Sequence, residues 1–191
     1  KQEAIKHYNV CIKSKQLQID SIRLQSNSDE SLWSVIEDKA QLLSHLGEIT
    51  LKNVDIKKSI DALQDALVNL DNARLFYLSD GIDTISINKW YEETKVGLYY
   101  NIADQYYIMK DYNSAIENYK SAISYVAKDN YQRKISLHEE LLLQYSMIDN
   151  VEEAKIIYSK VSENLDKLLG NQLVSSTSID TLKIGSILIP M

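Results

Sequence analysis

Between Val96 and Asp129, small and large apolar residues recur at helical spacing on both sides of a short polar turn, Lys110-Asp111. The residues before the turn follow the i, i+3, i+4, i+7 pattern of one helix face; they are Tyr99, Ile102, Ala103 and Tyr106. After the turn, the same kind of face is formed by Ala115, Tyr119 and Ala122. Alanine lets two helix backbones approach closely, and tyrosine rings fill the space beside the contact. The pattern therefore predicts an antiparallel pair of helices with a shared core.

Two further copies of this pattern flank the segment, one downstream and one at a longer interval upstream. The downstream copy consists of Leu141, Leu142, Tyr145, Ala154, Tyr158 and Val161, and the upstream copy of Leu43, Leu46, Gly47, Ser59, Leu63 and Ala66. The N-terminal residues Ala4, Tyr8 and Cys11 match only the second helix of a copy, so we expect its first helix to precede Lys1. The tyrosines at matched positions are predicted to be core residues; they are Tyr99, Tyr106, Tyr119, Tyr145 and Tyr158.

The chain holds only five Gly and one Pro, the residues that most often interrupt helices, so long helices are expected. The unequal spacing of the copies predicts long helices from Ala4 to about Leu24 and from Ser59 to about Leu78. Residues 79–88 are then predicted to be a loop. Asn150 stands where a helix N-cap belongs, and Gly170 is predicted to be a C-cap that ends the last helix at Leu169.

The segment "LYYNIADQYYIMKDYNSAIENYKSAI" resembles the tetratricopeptide repeat (TPR). The large, small and aromatic positions of that motif match Tyr99, Ile102, Ala103, Tyr106, Ala115, Tyr119 and Ala122. The resemblance implies an all-α, TPR-like α-solenoid, a right-handed superhelix of antiparallel helix pairs. We expect a repeat domain over 1–173, with a half repeat at 1–24 and repeats at about 29–79, 88–129 and 131–169. Residues 174–191 are expected to be a polar connector and a short apolar tail, helical or extended.

In the TPR family, fixed positions on the first helix of each repeat face a groove that binds a peptide or protein segment. Gly97 occupies one such position, and the candidate binding residues are Tyr100, Asn101, Asp104, Tyr107, Ser44, Glu48, Glu139 and Leu143. Tyr100 and Tyr107 either line the groove or pack between repeats. Asn101 either clamps a peptide backbone through its amide or is an ordinary surface residue. The Lys and Asn clamp with which chaperone-tail binders of the family hold a terminal carboxylate is missing.

Composition argues against several other functions. The net charge is −6, and Lys and Arg are nowhere clustered as phosphate binding requires, so we expect no nucleic-acid binding by this segment. The three His fall on separate predicted helices and the five Gly are scattered, which predicts no metal site, no cofactor and no catalytic residues. A single cysteine, Cys11, and the lack of an apolar run near the ~20 residues that span a bilayer predict a cytoplasmic protein without a membrane segment.

The long repeats and the Lys-, Asn-, Ile- and Tyr-rich composition resemble the peptide-sensing regulators of Gram-positive bacteria of the Rgg, PlcR and Rap type. This resemblance implies the peptide-binding domain of a bacterial cytoplasmic transcriptional regulator that senses a short signal peptide. It also implies a homodimer and a DNA-binding helix-turn-helix before Lys1. The alternative is a TPR scaffold or adaptor that mediates protein–protein assembly.

Overall fold

The computed structural model describes residues 2–24, 53–79 and 83–175, together with 35, 38, 39, 42, 45 and 46. These residues are helical or belong to short turns, and no strand occurs among them. The three continuous ranges contain six helices: α1 (Gln2–Leu24), α2 (Asn53–Ser79), α3 (Thr84–Ile108), α4 (Tyr112–Tyr125), α5 (Tyr131–Met147) and α6 (Val151–Ser175).

The six residues described singly are helical, and several of them contact α1. The ring of His45 stacks on that of Tyr8 with centroids 6.1 Å apart and planes 9° from parallel. Lys15 forms an ion pair of 2.8 Å with Asp38. The singly described residues lie mostly three to four positions apart, so one helical face is turned toward α1.

From α2 onward, each helix packs against the next one along the chain. The pairing is antiparallel, as the aromatic contacts between α3 and α4 show. Tyr107 meets Tyr112 beside the turn, with ring centroids 6.2 Å apart. Two helical turns away, Tyr100 meets Tyr119 at 5.8 Å. The all-helical, TPR-like architecture predicted from the sequence is therefore confirmed for the described residues.

The two helices of each pair, α3 with α4 and α5 with α6, are joined by a three-residue turn of the same geometry. At the end of α3, Lys110 adopts a left-handed φ of 62°, and its N–H donates to Tyr107 O at 2.8 Å while that of Asp111 donates to Tyr106 O at 2.9 Å. This pair of bonds is the Schellman arrangement that satisfies the last carbonyls of a helix. The Asp111 carboxylate then accepts from Ser114 N at 3.2 Å and caps α4. One residue thus closes one helix and starts the next.

The turn between α5 and α6 repeats this geometry. Asp149 has a φ of 53°, and the Asn150 N–H donates to Tyr145 O at 3.0 Å. The Asn150 side chain accepts from Glu153 N at 3.3 Å, which confirms the predicted N-cap. Because both turns force an immediate reversal, α3 and α5 lie as the first helices of two successive pairs.

The core consists of two clusters that meet at α3. On one side, Leu98 and Ile102 join residues of α1 and α2: Ile19, Ile60, Leu63, Ala66 and Leu70. On the other side, Val96 and Ala103 join residues of α4, α5 and α6: Ala115, Ile116, Tyr119, Ala122, Leu137, Leu141, Tyr145 and Ile157. The alanines predicted at the helix contact, Ala103, Ala115 and Ala122, are each 0% exposed.

Three sequence-based expectations need correction. Gly170 does not end a helix, because α6 continues to Ser175. The loop predicted over 79–88 is shorter, because Asp83 accepts from Ser86 N at 2.9 Å and caps α3, which begins at Thr84. Tyr158 is 60% exposed rather than buried, because no described helix follows α6 to cover that face. Glycine weakens a helix interior by ~1 kcal/mol relative to alanine, which does not by itself stop a helix.

The left-handed conformation of Lys110 leads to a stability prediction. A side chain in this region costs roughly 1–2 kcal/mol, a cost that glycine does not carry, although glycine loses more backbone entropy on folding. We therefore expect Lys110→Gly to raise the free energy of unfolding by about 0.5–1 kcal/mol. Chemical denaturation measures the change. Lys160→Gly in the interior of α6 is the control and should lower it by about 1 kcal/mol. A loss of stability in both variants would contradict the argument.

Candidate functional site

The candidate binding residues lie on the first helices of two successive pairs, α3 and α5. Tyr100, Asn101, Asp104 and Tyr107 of α3 are half-buried, and Glu139 and Leu143 of α5 are exposed. Ser44 and Glu48 lie outside the described residues. Tyr107 packs on Tyr112 at the turn, so it contributes to packing while keeping part of its surface accessible. The clamp role of Asn101 stays a prediction.

Tyr100 and Asp104 are supported from behind by α4. The Tyr100 ring makes an edge-to-face contact with Tyr119, at 65° between planes. The Tyr119 hydroxyl donates to Asp104 Oδ1 at 3.5 Å, the long limit of a hydrogen bond. Burial, with Asp104 and Glu140 nearby, raises the pKa of Tyr119, so this hydroxyl keeps its proton. A fully buried core tyrosine therefore lies beside the carboxylate of the half-buried Asp104.

Glu140, which was not among the candidate residues, lies on α5 close to both Asp104 and the candidate Glu139. Burial raises the pKa of Glu140, and the negative charges of Asp104 and Glu139 raise it further. Glu140 occupies the same position in its helix as Asn101 does in α3, one repeat earlier. The sequence pattern thus contained the signal, because the equivalent α3 residue had already been selected.

Arg133 adds a cation at the start of α5. Its guanidinium carbon lies 5.4 Å from the centre of the Tyr100 ring, a cation–π distance. The contact brings α3 and α5 together on one face. We call the surface formed by Tyr100, Asp104, Arg133 and Glu140 the α3–α5 face.

A small pocket opens beside this face, one helical turn from Tyr100. It has a volume of about 210 Å³ and lies between the first half of α3, the end of α4 and the start of α5. Gly97 forms part of its wall, and a Cβ placed on Gly97 would meet no atom within 4 Å. The resemblance to the TPR family places Gly97 at a groove position, and the structure adds the open space around its Cα.

Sequence reasoning missed a buried lysine that connects three helices. Lys95 is 7% exposed, with its Nζ 4.7 Å from the ring centre of Tyr91 and 5.0 Å from that of Tyr125. It also lies 3.1 Å from Asp71 Oδ1, to which the Tyr91 hydroxyl donates at 2.6 Å. Burial lowers the pKa of Lys95, but the Tyr91 and Asp71 oxygens raise it, and the net shift is upward. These contacts make Lys95 a cross-link between α2, α3 and α4.

Two glutamines at equivalent positions are also buried. Gln105 is 7% exposed and its Oε1 accepts no hydrogen bond, while Gln144 is 0% exposed and neither of its amide atoms has a partner. Amides in the core give no periodic apolar signal, so the sequence pattern did not reveal them. His138 on α5 is buried as well, and burial lowers its pKa. Among the described residues, no three metal-binding side chains come together.

The packing described above defines the class of the molecule as a TPR-like helical-repeat protein. No protein-family model matches the chain, and the search of curated proteins also found no match. Among solved structures, the chain is similar to the TPR-like repeats of a kinesin light chain from Podosopora anserina. The identity is 10%, the match covers 93% of this chain and 97% of that chain, and the TM-score is 0.33. Within the described part, no helix combines the length and apolar character needed to cross a membrane.

The raised pKa of Glu140 leads to a pH-dependent prediction. Since ionisation is harder in the folded state, the parent chain loses stability as pH rises through the interval between the ordinary and the raised pKa. Glu140→Gln avoids this loss. We expect the variant to be more stable than the parent at neutral pH and the difference to shrink near pH 3.5, below the ordinary glutamate pKa of about 4.3.

Urea denaturation at the two pH values measures the Glu140 effect. Glu92→Gln, an exposed change on α3, is the control and should give a smaller difference. A stability gain of equal size at both pH values would contradict the electrostatic cause.

The unpartnered amide of Gln144 leads to a second prediction at this site. An unsatisfied buried polar group costs about 1–3 kcal/mol, and an apolar side chain of similar shape removes this cost. Gln144→Met should therefore raise the free energy of unfolding by about 1–2 kcal/mol. The exposed change Gln132→Met on the same helix should stay within about 0.5 kcal/mol of the parent. A loss of stability in Gln144→Met would show that the amide is satisfied in solution.

Proposed function

We propose that this chain is an interaction scaffold that holds an extended segment of a partner protein on the α3–α5 face. The observation that supports this proposal is the arrangement of Tyr100 and Asp104, which are held by contacts within the fold, with Glu140 close to Asp104. Tyr119 contacts both Tyr100 and Asp104 from the core. Side chains held in place before binding lose little entropy on binding, which favours recognition.

The chemistry of the face suits a segment with both polar and apolar features. Two carboxylates accept hydrogen bonds from backbone N–H groups and attract cations, and the Tyr100 ring offers a flat apolar surface. Arg133 supplies donors at one end. Stacked helix pairs present surfaces of this kind to elongated ligands.

The narrower hypothesis is that the segment is a short signal peptide. This chain would then be the peptide-binding domain of a bacterial transcriptional regulator. Binding would then shift the population of helix arrangements and so the state of a dimer or an attached domain. The mixed polar and aromatic character of the α3–α5 face supports binding of a peptide of a few residues. A scaffold that binds a folded partner would instead contact that partner over an area larger than a short peptide covers.

Peptide selection tests the proposal. Displayed random peptides are selected on the 191-residue chain, and the affinity of the best one is measured by calorimetry. We expect Tyr100→Ala combined with Asp104→Asn to weaken binding at least tenfold, or about 1.4 kcal/mol. Tyr107→Ala and Asn101→Ala test the two remaining candidates on α3.

The matched control carries the same pair of substitutions elsewhere. Tyr158→Ala with Asp166→Asn alters exposed residues of α6 and should leave the affinity within twofold of the parent, about 0.4 kcal/mol. Equal weakening in test and control variants would refute the assignment of the site. Failure to select any peptide would refute binding of an extended segment.

A further inference from the structure

The pocket at Gly97 lies beside the α3–α5 face and shares Arg133 with it. Its lining includes Val96, Gly97, Tyr125 and Val126, which are buried or half-buried, together with charged residues. It lies one helical turn along α3 from Tyr100. Arg133 both lines the pocket and rests over the Tyr100 ring, so the two surfaces are continuous.

Gly97 has no packing role that would require glycine. It lies inside the long helix α3, far from either end, where glycine is less stable than alanine by ~1 kcal/mol. A close approach of another segment does not explain it, because a Cβ at Gly97 would meet nothing within 4 Å. What the missing side chain does provide is room in the pocket.

The size and charge of the pocket indicate what it holds. Its volume of about 210 Å³ is below the roughly 300–1,000 Å³ typical of sites for whole small molecules, and suits one side chain. Two acids, Glu92 and Glu93, and two bases, Lys89 and Arg133, also line the pocket. The charges balance, so neither an anion nor a cation is favoured, while Val96, Tyr125 and Val126 supply apolar surface.

We propose that the Gly97 pocket receives one uncharged, apolar side chain of the segment that lies on the α3–α5 face. This inference rests on the proposed function and makes it narrower, since the bound segment must carry such a residue next to the part that contacts Tyr100. Gly97 sets the specificity, because a large side chain at this position would fill the space, whereas a single Cβ would not.

The first experiment uses N-acetyl-leucine amide as the probe, with N-acetyl-aspartate amide and N-acetyl-lysine amide as charged comparisons. Each is titrated into the isotope-labelled full chain and followed by NMR. We expect the leucine probe to shift the backbone signals of Val96, Gly97 and Val126, with a dissociation constant of roughly millimolar order. The charged probes should bind at least about tenfold more weakly. Equal binding of all three probes, or shifts confined to other residues, would overturn the proposal.

Substitutions at Gly97 provide the second readout. Gly97→Leu should reduce binding of the leucine probe at least about tenfold, whereas Gly97→Ala retains most of the space. Both should raise the melting temperature, because both replace a helical glycine, so lost binding cannot be attributed to unfolding. Gly170→Leu is the matched control, a helical glycine of α6 whose Cβ would also meet nothing within 4 Å. Unchanged probe binding in Gly97→Leu would overturn the proposal.

The peptides selected on the chain separate this inference from the proposed function. If such a peptide binds and is weakened by the Tyr100 and Asp104 changes but not by Gly97→Leu, the pocket inference fails and the α3–α5 face stands. If no peptide is selected while the leucine probe binds at Gly97, the pocket stands and the extended-segment function fails.

Discussion

Burial of α3 on two opposite sides is the constraint on which the rest of the structure depends. Leu98 and Ile102 complete the core shared with α1 and α2, and Ala103 completes the one shared with α4 to α6. The alanine is 0% exposed, and its small side chain lets the α4 backbone come close enough for Ala115 to be buried as well. Since dispersion and apolar burial depend on such close contact, a larger residue at either position would push α3 and α4 apart.

The three-residue turns set the arrangement of the two helices within each pair. In both three-residue turns, a residue with left-handed backbone is followed by a residue that caps the next helix through its side chain. This leaves little freedom in the angle between the paired helices. Tyr100 of α3 and Arg133 of α5 meet on one face, although they belong to different helix pairs and the whole of α4 lies between them in the chain.

The parts of this structure that the sequence predicts are those governed by apolar periodicity. Ala103, Ala115, Ala122 and Tyr119 were placed in the core because their spacing fits one helix face, and each is fully buried. Tyr158 satisfies the same pattern and is exposed, because a periodic position is buried only where another helix covers it. Periodicity shows which face of a helix is apolar, but it does not show whether another helix covers that face.

Apolar periodicity does not predict which polar residues are buried inside the fold. Lys95 is buried by contacts with two tyrosines and an aspartate from three helices, which no local pattern encodes. Glu140 differs from Lys95, because it occupies the repeat position of the candidate Asn101, but its neighbour Glu139 was selected since it matched the groove position of the TPR family. The identity of the acid that faces Asp104 depends on how α5 is rotated against α3, and that rotation is set by packing.

At Gly97, α3 retains a residue that lowers helix stability next to the proposed binding surface. The same surface keeps two carboxylates near each other at Asp104 and Glu140, which also opposes folding at neutral pH. Both features lie on the exposed side of first helices, within about 10 Å of each other along α3 as judged from the helical rise per residue. Residues that reduce stability concentrate at functional surfaces, because folding alone gives no reason to retain them. The proposal of one ligand-binding surface accounts for both the cavity beside Gly97 and the neighbouring carboxylates of Asp104 and Glu140.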